Sequence, residues 1–231
     1  LGDLDALERT VAGARSAPRG LIRLAATLGF GRQQVAPALS AFARAYPQVE
    51  VQLHLSERPV NLVEQGFDAA VRFGELPDSR LTARRLLRNE RWLCAAPAYL
   101  AGAGVPQQPS DLLAHSCLVI RESDETYGSW HLQQGAQQQT VKVRGALSSN
   151  DGAAATAWAL DGHGILMRSY WDIAPLVAQG LLQRVLPQWA LPPADVYLVY
   201  PSRSDLSAKM RALSDFLAQY FSAPTTAVAG P

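Results

Sequence analysis

Between Gly20 and Gly74 the apolar residues change spacing repeatedly. Leu21–Ala26 is a short, nearly continuous apolar run. From Gln33 to Tyr46, Val35, Leu39, Phe42 and Tyr46 recur at helical spacing, and Pro47 ends the segment. Val49, Val51, Leu53 and Leu55 then alternate with Glu50, Gln52 and His54, the period of a strand. Pro59 opens a helical segment ending near Gly66, and Asp68–Phe73 is a third strand. Thr27–Arg32, with Gly29 and Gly31, reads as a turn joining the first strand to the first helix. This β-α-β-α-β order predicts an α/β fold with a parallel sheet covered by helices. Such sheets bind ligands beyond the carboxyl ends of their strands. Here those ends are Thr27–Phe30, Ser56–Arg58 and Arg72–Gly74.

The pattern continues less regularly. A strand is expected over Glu90–Ala95, with a helix starting near Pro97. The Gly/Pro-rich stretch Gly102–Pro109 marks entry into a second subdomain. In it the pattern predicts a short helix over Asp111–His115 and strands over Cys117–Ile120, Trp130–Gln134, Thr140–Val143 and Ala146–Ser149. Asn150 precedes a helix over Asp151–Leu160, which Gly162 and Gly164 end. Ile165–Arg168, Leu182–Leu186 and Val196–Tyr200 read as strands, Tyr170–Leu176 and Ala208–Phe221 as helices. The last strand and helix return to the first subdomain, so the second is an insertion. The boundaries expected are 19–99 with 200–222 for the first lobe, 100–199 for the second, and a disordered tail at 223–231. Leu4, Leu7 and Val11 give the first residues one short amphipathic helix, stopped by Pro18. On Gln33–Tyr46 the small residues Ala38, Ala41 and Ala45 read as an outer face that a second subunit could approach.

Composition narrows the function classes. The chain is 48% hydrophobic and 18% charged, so it can build cores. Its net charge of +1 argues against nucleic-acid binding by this sequence itself, which needs clustered Lys and Arg. The run Arg84, Arg85, Arg88 and Arg91 is short and balanced by acids elsewhere, and reads as a solvated face. Cys94 and Cys117 are not at metal-ligand spacing and suit a reducing compartment. Leu1–Gly20 holds no uninterrupted apolar core, so no signal peptide is read there and a cytoplasmic setting is expected. No stretch is long enough to span a membrane.

The residues favour binding over catalysis. His54, His115, His131 and His163 form no spaced metal motif, no serine sits in a hydrolase elbow, and no enzyme activity or cofactor is expected. The junction Thr27, Leu28, Gly29 and Phe30 ends a strand and opens a helix, so its N–H groups suit a carboxylate. The Thr27 hydroxyl could add a hydrogen bond or simply cap the helix. Asn150 stands at a comparable junction in the second lobe, with the same two roles open. Arg72 and Arg168, both at strand ends, could each clamp a carboxylate; the plainer role for either is an ion pair with Glu57, Glu75 or Asp172. Glu57 itself also lies at a strand end, and Phe30, Phe73 and Met167 could supply apolar walls. Arg121 and Glu122 complete the candidates.

An ordered set of short motifs runs through most of the chain. They are Arg19-Gly20, Ala36-Pro37, Tyr46-Pro47, Leu55–Leu62, Gly66–Gly74, Cys94–Leu100, Ser149–Gly152 and Tyr200–Arg203. In this order and spacing the chain resembles the effector-binding domain of LysR-type transcriptional regulators. The resemblance implies a two-lobed type 2 periplasmic-binding-protein-like fold, each lobe a mixed, mostly parallel sheet flanked by helices, with two crossover strands. It implies that residues 1–18 end a linker helix and that DNA is met only through an N-terminal winged helix-turn-helix outside this sequence. It further implies a small organic-acid or aromatic effector bound between the lobes, and a homodimer or homotetramer built through the Gln33–Tyr46 helix. An extracytoplasmic solute-binding protein of the same fold is the alternative.

Overall fold

The computed structural model describes residues 17–56, 60–74, 80–120, 128–202 and 206–222. The amphipathic segment at 1–16, Glu57, Arg121, Glu122 and the tail at 223–231 lie outside them. The chain forms two compact units. One comprises Leu1–Arg72, Leu76–Leu87 and Val196–Pro231; the other comprises Phe73–Glu75 and Arg88–Asp195. The Gly102–Pro109 stretch therefore lies wholly inside the second unit.

In the first unit a five-stranded sheet has the order β2-β1-β3-β12-β4. Its strands are β1 (Gly20–Thr27), β2 (Val49–Ser56), β3 (Ala69–Phe73), β4 (Leu81–Leu87) and β12 (Val196–Pro201). β1 pairs in parallel with both β2 and β3, as the alternating pattern predicts. β4 is an edge strand, antiparallel to β12, that the pattern did not reveal. The adjacent cations Arg84 and Arg85 interrupt its period of two. Charge on an edge strand discourages pairing with other chains, and Arg84 also donates to Ser214 Oγ (3.0 Å) and Asp215.

Helix starts early in this unit. Instead of a turn, α1 (Leu28–Phe30) follows Thr27 directly, runs through a π-helical stretch at Gly31–Val35 and continues as α2 (Ala36–Ala45). A Cβ on Gly31 would fall 2.4 Å from Leu55 Cδ2 and 3.0 Å from Ala26 Cβ. The glycine thus serves close packing of the helix on the strands, not a turn. Val35, Ala38, Leu39 and Phe42 face the core, and Phe42 packs against Tyr46 and against Phe216 of α6 (Ala208–Ser222). Ala38 is fully buried, so it belongs to the inner face and not to the outer one; small size alone carries no direction. The exposed positions are Pro37, Ser40, Ala43, Arg44 and Ala45. The segment expected to be helical up to Gly66 makes only turns from Asn61, with Gln65 N–H donating to the Asn61 carbonyl at 3.0 Å.

The second unit has its own five-stranded sheet, order β11-β5-β10-β6-β9. Its strands are β5 (Arg91–Ala95), β6 (Cys117–Ile120), β9 (Ser148–Ser149), β10 (Ile165–Ser169) and β11 (Gln183–Val185). The pairs β10·β6 and β6·β9 are parallel, β10·β5 and β11·β5 antiparallel. A hairpin of β7 (Ser129–Gln134) and β8 (Gln137–Lys142) turns at Gly135, whose φ is +57°. Helices α3 (Pro97–Ala103), α4 (Gly152–Leu160) and α5 (Tyr170–Ala178) complete the unit, with a 3₁₀ turn at Pro109–Ala114. One core gathers Leu112, Trp130, Leu132, Ile165 and Trp189; another gathers Cys94, Leu118, Leu166 and Ile173. Burial pushes both thiols up to about 12, so Cys94 and Cys117 are inert packing groups.

Where the chain enters and leaves this unit, Asn89 knits the backbone together. Its Nδ2 donates to Ser169 Oγ (3.1 Å) and to the Ala194 carbonyl (3.0 Å), and its N–H donates to Asp195 Oδ1 (3.0 Å). Gly74 N–H in turn donates to the Asp195 carbonyl (2.9 Å). A side chain only 3% exposed thereby ties together three separate stretches of the chain.

Candidate functional site

The first unit brings several predicted residues to the carboxyl ends of adjacent parallel strands. The β1·β2 register sets Thr27 beside Ser56, and the β1·β3 register sets Ala26 beside Val71. One step further along, Arg72 stands beside Thr27. Residues opposite one another in register point to the same face, so Ser56, Thr27 and Arg72 form a row. Ser56 is the member that residue-by-residue reading missed; only the strand register exposes it. Leu28 and Gly29, half-buried, follow Thr27 in the first helical turn.

The roles left open in the sequence now separate. Thr27 has extended backbone (φ −68°, ψ 149°) and its hydroxyl makes no capping bond to the helix it precedes. Arg72 donates from Nη2 to the Val60 carbonyl, while its Nε is buried without a hydrogen-bond partner. Burial lowers its pKa, and no carboxylate offsets that effect. An arginine nevertheless stays charged at any ordinary pH. Phe30 is 1% exposed, its ring packed 5.6 Å from that of Phe221, so it is a core residue and not an exposed wall. Phe73 closes β3, half-buried. Glu57 is outside the described residues.

The second unit holds another group. Asp151, not Asn150, caps α4: its Oδ1 accepts from Ala154 N–H at 2.9 Å, and its own N–H donates to Ser149 Oγ at 3.0 Å. Asn150 is exposed at the junction of β9 and α4. Arg168 takes the plainer of its two roles. Its Nε donates to Asp172 Oδ2 at 2.5 Å, with the two side chains 12% and 9% exposed, and its guanidinium lies over the Trp171 ring at 5.7 Å. It also rests on the start of α4, where a Cβ on Gly152 would come within 2.1–2.4 Å of its guanidinium atoms. Met167 pairs with Leu93 and packs against the Trp130 core, so it is mainly structural.

Histidines stay away from such clusters. His131 Nδ1 meets Thr140 Oγ1 at 2.9 Å, across the hairpin, and His115 Nδ1 meets Tyr99 Oη at 3.2 Å. Among the described residues no three His, Cys, Asp or Glu side chains are grouped as a metal site would need, and no helix is long and apolar enough to cross a membrane.

Against known proteins, the family model described as LysR substrate binding domain matches residues 15–222. The HTH-type transcriptional regulator DmlR of Escherichia coli (strain K12) is 43% identical over 221 residues, covering 96% of this chain and 72% of its own. The HTH-type transcriptional activator TtdR of the same strain is 41% identical over 207 residues, 89% of this chain and 66% of its own. This sequence thus spans about two thirds of the length of such relatives. Among solved structures, the regulatory domain of CrgA from Neisseria meningitidis, described as a LysR-type transcriptional regulator, superposes with a TM-score of 0.77. It has 29% identity and covers 88% of this chain and all of its own.

Proposed function

Because the chain belongs to the LysR substrate-binding domain family, with that family's two-lobed periplasmic-binding-protein-like fold, we propose that it senses a small organic-acid or aromatic effector for a DNA-binding regulator. The observation that carries this reading is the family match across both compact units, joined to the row of polar groups at the strand ends of the first. In this reading Thr27, Leu28, Gly29 and Arg72 meet the effector from one lobe and Asn150 from the other. Glu57, Phe73, Met167 and Arg168 flank the site. An effector shifts the balance between lobe arrangements by no more than its differential affinity for them. DNA would be contacted by another part of the full regulator, within a cytoplasmic homodimer or homotetramer.

The site is tested by first finding a small molecule that stabilises the domain in a thermal-shift screen. Thr27→Ala and Asn150→Ala should then each weaken its binding roughly ten- to a hundredfold, about 1.5–3 kcal/mol for one hydrogen bond to a charged group. Titration calorimetry on the folded variants reads this directly, and wild-type affinity in both would remove these residues from the site. Subunit pairing through α2, whose exposed side offers Pro37, Ser40 and Ala43, predicts a dimer at micromolar concentration. Sedimentation velocity that finds only monomer across the concentration range would rule this out.

A further inference from the structure

The arginines whose partners are described differ in how their charge is met. Arg168 is held by Asp172 and Arg84 by Asp215. Arg23 is exposed and donates to the carbonyls of Gln65 and Gly66. Arg72 is partly buried, donates to one neutral carbonyl, and leaves its Nε shielded from water with no acceptor. Among the described residues no carboxylate pairs with it. A guanidinium in this position has lost hydration without gaining a counter-charge, an arrangement that costs stability and that an arriving anion reverses. It also stands in register with two hydroxyl side chains, Thr27 and Ser56, that can donate to an oxyanion.

We infer that Arg72, with Thr27 and Ser56 in the same row, reads a carboxylate, so that the effector of this domain is an organic anion and not a neutral molecule. This rests on the reading of the domain as an effector sensor and narrows its ligand class. Arg168, matched by Asp172, contributes little net charge to the choice. Charge-assisted hydrogen bonds to a desolvated guanidinium are the stronger kind, so Arg72 dominates discrimination between an acid and its amide.

The test uses small mono-, di- and aromatic carboxylates, each beside its neutral amide, together with inorganic sulfate, all at one ionic strength. At least one carboxylate should raise the melting temperature of the wild-type domain where its amide does not. In calorimetry, Arg72→Gln should weaken that carboxylate ten- to a hundredfold and Arg72→Lys less. Arg44→Gln, at an exposed helix position, should leave it unchanged. Ligand-free Arg72→Gln should melt no lower than wild type, whereas a purely structural arginine would show a clear drop. Equal stabilisation by acid and amide, a response to sulfate alone, no response to any carboxylate, or unchanged affinity in Arg72→Gln would each overturn the inference. The sensor reading fails separately: it survives an amide that binds and is weakened by Thr27→Ala, and it does not survive a ligand that both Thr27→Ala and Asn150→Ala leave untouched.

Discussion

Gly164→Ala should destabilise the second unit by about 3 kcal/mol or more. Gly164 has φ +155° and would place a Cβ 2.4 Å from the Ser116 carbonyl oxygen. That oxygen already accepts the Ile165 N–H at 2.9 Å, the bond that starts the pairing of β10 with β6. Backbone strain at such a position and steric overlap in a packed interior each cost about 1–3 kcal/mol, and here they coincide. The obstacle is main chain, so no side chain can swing aside to relieve it. All five tryptophans, at positions 92, 130, 158, 171 and 189, belong to the second unit. Tryptophan fluorescence during urea denaturation therefore reports that unit alone. A change under about 1 kcal/mol would mean that the β6–β10 junction relaxes freely, contrary to this account.

Phe42→Ala should be comparably severe in the other unit, at about 3–5 kcal/mol. The ring is fully buried, 4.8 Å from the Tyr46 ring and 5.4 Å from that of Phe216, and it fastens α2 to α6. Its removal leaves a cavity whose walls are set by two helices and a sheet, which limits collapse. Far-ultraviolet circular dichroism should show part of the helical signal melting early, while the tryptophan transition moves little. A loss below about 1 kcal/mol, or a tryptophan shift of equal size, would show that Phe42 does not anchor this unit on its own.

These two sites illustrate what could and could not be read from the sequence. Phe42 was legible because Val35, Leu39 and Tyr46 share its helical stripe. Gly164 was legible only as a helix stop; that it lies against Ser116 depends on strand pairing, which no local pattern records. The parallel β2-β1-β3 core followed from alternation, whereas β4 was hidden because Arg84 and Arg85 are neighbours. At the candidate site, position at a strand end singled out Thr27 and Arg72 correctly as neighbours. It could not show that Phe30 is turned into the core against Phe221, or that Asp151 takes the cap from Asn150. Both depend on which of two adjacent residues turns inward, a choice made by tertiary packing. The pairing of Arg168 with Asp172 was accessible, since the two sit four residues apart across a strand-to-helix junction.

The segmented path of the chain has a consequence for how the protein is made. In the first sheet β12 is placed next to β3 and also pairs with β4, yet it is the last strand to be synthesised. Until it emerges from the ribosome, β4 lacks the strand it pairs with, and α6 is absent from Phe42. The second unit, apart from Phe73–Glu75, is one continuous run from Arg88 to Asp195 and can close on itself during translation. The nascent chain therefore carries a finished C-terminal-proximal body attached to a half-built sheet. That exposed interval ends only when Val196–Pro201 inserts, which makes the sheet of long-range contacts the slow, chaperone-dependent stage of biogenesis.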